Sequence, residues 1–169
     1  MRNLEAVRQR TEADPHVLEA GHAPTPFLVD EIRMGSPVGR TYKVLVEVDG
    51  AEPFVRVLRY VWTNERSATT ERWRETLDGA RIGDIEERDI TWLRLQAQAS
   101  FPAEQTTIEP DTIETPLGVM DCLMYTIRDG GTVKRLWFAR HLPGVPVKVI
   151  VKEGGTVVST VTMVSNEFA

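Results

Sequence analysis

Asp84–Phe101, DIEERDITWLRLQAQASF, is the stretch whose reading settles the architecture. It interrupts a sequence otherwise dominated by period-2 alternation. Asp89 can cap a helix, because its carboxylate accepts from amides left free in the first turn. Ile90, Leu93, Ala97 and Phe101 then fall on one stripe at helical spacing, and Pro102 stops the run. The spacing predicts the main helix of the fold over residues 84–101.

Outward from that segment, the signals are strands and turns. Upstream, Tyr42, Val44, Val46 and Val48 alternate with Lys43, Leu45 and Glu47, and Asp49-Gly50 supplies the positive φ of a tight hairpin turn. Phe54–Trp62 returns, Asn64-Glu65 turns again, and Ser67–Leu77 makes a third strand closed by Asp78-Gly79. Downstream, Thr106–Glu114 carries Pro110, which cannot donate to a ladder and so marks an edge or a bulge. Thr115-Pro116-Leu117-Gly118 turns into Val119–Ile127, Asp129-Gly130-Gly131 into Thr132–Ala139, and Leu142-Pro143-Gly144 into an alternating run. That run sets Val145, Val147, Val149 and Val151 opposite Lys148 and Lys152. Glu153-Gly154-Gly155 leads to the last strand, Val157–Val164.

Several strands are apolar on both sides. Val119, Leu123, Tyr125 and Ile127 face one way, and Met120, Cys122 and Met124 the other. A sheet with one wet face alternates more cleanly, so both faces need cover. The expected fold class is α+β: a strongly curved, mainly antiparallel half-barrel of about eight or nine strands wrapped around one main helix. Residues 3–13 read as a short N-terminal helix, and Gly21–Pro26 (GHAPTP) as a breaker-rich linker. Residues 1–26 thus form an appendage, and residues 27–169 a single domain.

A chain of 169 residues with 41% hydrophobic and 27% charged content has enough apolar surface for a core without disulfides. Cys122 is the only cysteine, which suits a reducing compartment. The start has no leader-like apolar stretch, and no run approaches the roughly 18 residues of a membrane span. The expected location is the cytoplasm. A net charge of −5 argues against a nucleic-acid partner. Arg56, Arg59, Arg66, Arg72 and Arg74 gather, but Glu65, Glu71 and Glu75 are interleaved, which reads as a solvated mixed-charge face.

Two clusters invite chemistry. Glu12, His16, Glu19 and His22 include metal-ligating types, yet Pro15 interrupts the helix such a site needs, so no metal and no cofactor is expected. Asp121-Cys122 with His141 suggests a nucleophile, but Cys122 sits in an apolar line that raises its pKa, and no third member is evident. No catalytic residue is assigned. Trp62, Trp73, Trp92, Tyr125, Trp137 and Phe138 form an aromatic set that either fills the core or lines an apolar pocket.

Residues 104–165 resemble the periplasmic lipoprotein-carrier superfamily. The features that carry the resemblance are the hairpin at Thr115-Pro116-Leu117-Gly118 with Asp121-Cys122 beyond it, and the strand Leu136-Trp137-Phe138-Ala139. The turn Leu142-Pro143-Gly144-Val145-Pro146-Val147 and the hairpin through Glu153-Gly154-Gly155 complete it. The resemblance implies a half-open barrel closed by helices that holds acyl chains or other apolar ligands. The expected function is a non-enzymatic binding module for a lipid-like or other apolar small molecule. The alternatives are a protein-interaction or self-assembly domain, with a second copy as candidate partner, and a small hydrolase-type enzyme.

Overall fold

The computed structural model describes residues 13–168. Nine strands form one antiparallel sheet: β1 (Thr41–Val48), β2 (Phe54–Thr63), β3 (Ser67–Glu75), β4 (Arg81–Thr91), β5 (Thr106–Thr115), β6 (Gly118–Asp129), β7 (Thr132–Ala139), β8 (Lys148–Glu153) and β9 (Thr156–Glu167). Their spatial order is β4-β3-β2-β1-β9-β8-β7-β6-β5. Two meanders of sequence neighbours therefore meet where β1 pairs with β9. The sheet is open, with β4 and β5 as its edges. Pro110 lies in β5, where an edge strand tolerates a missing donor.

The sheet curls. Strands β5 and β9 are four steps apart, roughly 19 Å in a flat sheet at about 4.8 Å per step. Their Cα atoms nonetheless approach within 8 Å. Register shifts at Lys43/Val44, Tyr60/Trp62, Arg72/Arg74 and Val151/Lys152 supply bulges, each of which bends its strand and deepens the local twist. Strand β6 is buried on both faces, with Tyr125 and Ile127 on one and Met120 and Cys122 on the other.

The predicted helix over 84–101 is corrected. Its first half is strand β4, paired with β3 across the Asp78-Gly79 turn, and only Trp92–Ala97 is helical (α2; α1 is Val29–Met34). Thr91, not Asp89, caps α2: its side chain accepts from the Arg94 amide at 3.1 Å. The Asp89 carboxylate instead accepts from the Thr69 hydroxyl at 2.6 Å across the β3–β4 ladder. The buried stripe is Trp92 and Gln96, whereas Leu93 is 57% exposed. Strand β4 is exposed on both faces along most of its length, so it carries no period-2 apolar signal.

Helix α1 follows Leu28, whose amide donates to the Glu31 carboxylate at 3.0 Å, and Asp30 and Glu31 complement the dipole of the first turn. Both short helices pack on each other over part of the inner face of the sheet, where one long helix was expected. The stretch read as a linker is tied down. The Ala23 amide donates to the Phe101 carbonyl and the Ala103 amide to the Gly21 carbonyl, both at 2.8 Å. Tyr125 Oη donates to the Pro24 carbonyl at 2.7 Å, and Gln96 Nε2 to Thr25 Oγ1 at 3.0 Å. The helix expected over residues 3–13 lies, but for its last residue, outside the described residues.

Candidate functional site

The inner face divides into a covered half and an open half. In the covered half Tyr60 stacks on Trp92 with centroids 6.1 Å apart, and Tyr125 meets Phe138 edge-on at 5.2 Å. Phe27 and Phe101 complete the aromatic core against Phe138 and Tyr125. A small cavity of about 50 Å³ remains among Tyr60, Leu95, Ala99, Leu136, Phe138 and Val145. Ligand pockets usually run to roughly 300–1,000 Å³.

The six aromatic residues singled out above do not converge on one hollow. Trp92, Tyr125 and Phe138 are core residues, and the Trp92 indole donates to the Asn64 carbonyl at 2.8 Å. Trp137 is buried with its indole on the Asp111 carboxylate at 2.9 Å, and the Lys148 ammonium lies 5.6 Å from its ring. Trp62 is half exposed. Trp73 carries the Arg59 guanidinium over its ring at 4.8 Å, and its indole donates to Glu75 at 2.9 Å. That indole, with Lys43 at 3.1 Å, holds the Glu75 carboxyl below the usual carboxylate range.

The open half is lined by arginine. The pairing of β2 with β3 sets Arg56 opposite Arg74 and Leu58 opposite Arg72. Strand side chains alternate between faces, so Arg56, Arg72 and Arg74 share one face, while Arg59, Glu71 and Glu75 take the other. The expected mixed-charge face is thus sorted by the pleat into a cationic inner surface. Trp73, the one residue of the aromatic set that borders it, and Arg88, Ile82, Asp84 and Glu86 of β4 complete a trough of about 570 Å³. A more apolar hollow of about 340 Å³ adjoins it, lined by Pro53, Phe54, Leu77 and Ile82 with Glu52 and Thr76 beside them, and with Arg74 and Ile82 shared between the two. Gly83, at φ +74, sits in the irregular stretch of β4 that spans the trough. Sequence spacing held the signal for this site, but without the register nothing placed Arg56, Arg72 and Arg74 together on one face, apart from Glu71 and Glu75.

The other candidate clusters take structural roles. His22 bonds Ser100 Oγ at 2.8 Å and the Glu19 carboxylate at 3.3 Å, while His16 bonds the Thr25 carbonyl at 2.8 Å. Glu12 lies outside the described residues. Among the described residues no three metal-ligating side chains come together. Cys122 is 1% exposed, and burial, then Asp111 and Asp121, push its thiol up, while His141 is exposed. In native protein at pH 8, the Cys122 thiol should react with a maleimide at least tenfold more slowly than in urea. Equal rates would show an accessible thiol.

Among the described residues no helix is long and apolar enough to cross a membrane. Neither a protein-family model nor a curated protein matches the chain. Solved structures do. The chain is similar to MucB in complex with MucA(peri), at 14% identity and a TM-score of 0.56, over 83% of this chain and 54% of that one. It is similar to MucB alone at 13% identity and a TM-score of 0.54, over 83% and 57%. The chain thus spans little more than half the length of these structures, and at such identity the likeness is one of fold.

Proposed function

We propose that the chain is a non-enzymatic binding module that holds a lipid-like molecule on the open half of the sheet's inner face. The observation that carries this reading is the contrast in free volume. The covered half is packed down to about 50 Å³, while the open half keeps adjoining hollows of about 570 and 340 Å³. Phe54, Leu77 and Ile82 give the second hollow an apolar lining, with Leu77 62% and Ile82 45% exposed. Apolar side chains left in water on a concave surface favour an apolar occupant.

The test is uptake of the neutral probe N-phenyl-1-naphthylamine, read by its fluorescence. Wild-type protein should enhance the emission. Ile82→Asp and Leu77→Asp should each lower the enhancement severalfold at unchanged stability, because both side chains are solvent-facing in the free protein. Absent uptake, or uptake indifferent to both changes, would remove the reading.

A second reading, a protein partner on the same face or along β4, is supported by the solution of MucB in complex with MucA(peri). Among the described residues strand β4 is a free edge, able to pair with an added strand. A second copy of the chain would serve equally. Light scattering separates that case, since self-association raises the apparent mass with concentration.

A further inference from the structure

The trough holds more positive charge than the fold can use. Four guanidiniums, Arg56, Arg72, Arg74 and Arg88, line it against two carboxylates, Asp84 and Glu86. Arg88 pairs with Glu86 at 3.2 Å. Among the described residues, none of Arg56, Arg72 and Arg74 has a carboxylate oxygen within 4.0 Å. Burial, and after it the neighbouring Arg74 and Arg72, depress the Arg56 pKa. Arg72 also buries its Nε without an acceptor among the described residues. Arg59 and Arg135 elsewhere do the same, so that atom alone distinguishes nothing.

Self-repulsion of this kind disfavours the compact state unless something compensates it. Phe54 supplies part, since Arg74 lies 4.5 Å and Arg56 5.7 Å from its ring centroid. The same two contacts orient both guanidiniums beside the apolar hollow. A planar guanidinium matches an oxyanion in bidentate fashion, and three of them on adjoining strands suit a group with several charged oxygens.

We infer that Arg56, Arg72 and Arg74 form the head-group subsite for an anionic amphiphile, with its phosphate or carboxylate in the trough and its chain on Phe54, Leu77 and Ile82. This rests on the binding-module reading above and adds the chemical class of the ligand. An amphiphile is the occupant that satisfies both halves of the continuous hollow, which passes from arginine to apolar side chains through Arg74 and Ile82. A free oxyanion would leave the apolar hollow in water. A neutral lipid would leave the arginines unpaired.

The experiment is calorimetric titration with four probes below any micellar concentration: dodecyl phosphate, dodecanol, inorganic phosphate and a polyglutamate peptide. Dodecyl phosphate should bind at least tenfold more tightly than dodecanol, about 1.4 kcal/mol. It should also outbind both inorganic phosphate and the peptide. The preference should weaken with added salt, as screening demands. Arg56→Gln and Arg74→Gln should each reduce dodecyl phosphate affinity about tenfold and leave dodecanol unchanged. Both side chains are exposed, so the variants should fold, and loss of like-charge repulsion should hold or raise their thermal midpoints.

Dodecanol binding as tightly as dodecyl phosphate, with both variants silent, would overturn the head-group subsite and leave the binding module standing. Inorganic phosphate or the peptide matching dodecyl phosphate would overturn the amphiphile in favour of a free anion or an acidic protein segment. Binding of none of the four would overturn the subsite and the module together.

Discussion

Trp92→Ala should lower the unfolding free energy by about 3–5 kcal/mol, the usual cost of deleting a large buried aromatic. Trp92 is 1% exposed and stacks on Tyr60, and its indole reaches the Asn64 carbonyl at 2.8 Å. Its amide donates to the Arg66 carbonyl at 3.0 Å. The residue thus fastens the start of α2 to the β2–β3 turn and to the inner face together. Truncation removes the apolar burial, leaves a void and frees a carbonyl partly withdrawn from water. Urea titration followed by circular dichroism gives the value. Trp92→Phe keeps much of the packing and loses the indole donor, so it should fall between the two. A loss below about 1 kcal/mol for Trp92→Ala would mean that α2 is not seated on the sheet.

Arg40→Met should cost about 2–3 kcal/mol, although it removes a buried charge. Arg40 is 1% exposed, and burial depresses its pKa. Among the described residues no carboxylate joins the hydrogen-bond network it makes. Its Nε donates to Asn166 Oδ1 at 2.9 Å, and its Nη1 to the Gly35 carbonyl at 3.0 Å and, at 3.4 Å, to Ser36 Oγ and the Pro143 carbonyl. Replacing both sides of such a network by apolar groups is often neutral. Methionine replaces one side only. The backbone acceptors stay, and they sit where Gly35 packs so closely on Pro143 that a Cβ there would lie 3.3 Å away. Arg40→Lys should recover little, because one ammonium cannot spread its donors over acceptors held by three separate elements. Stability of either variant equal to wild type would show that water replaces the guanidinium freely.

The strands were legible where turns and alternation agree. Asp49-Gly50 does turn with Gly50 at φ +77, Thr132–Ala139 is the span predicted, and Pro110 does mark an edge strand. The sequence misled where burial is one-sided or absent. Strand β4 touches water on both faces, so its order comes from the β3 ladder, which no local pattern reports. The stripe drawn through Leu93 and Ala97 missed Trp92 and Gln96 because a six-residue helix is too short for periodicity to fix its phase. The aromatic residues left core and pocket open in the sequence, and Trp92, Tyr125 and Phe138 lie in the core. The arginine trough was not legible, since Arg56 meets Arg72 and Arg74 only through pairing between strands.

The joining of β1 to β9 has a kinetic consequence. Partners in that ladder lie more than a hundred residues apart in sequence, whereas the other ladders join strands adjacent along the chain. The hairpins on either side close short loops and can form early, but the seam between them bears the largest loop-closure entropy in the molecule. During synthesis β1 therefore waits, one edge unzipped, until β9 has left the ribosome. The interval is the period in which the nascent chain most needs shielding from its neighbours.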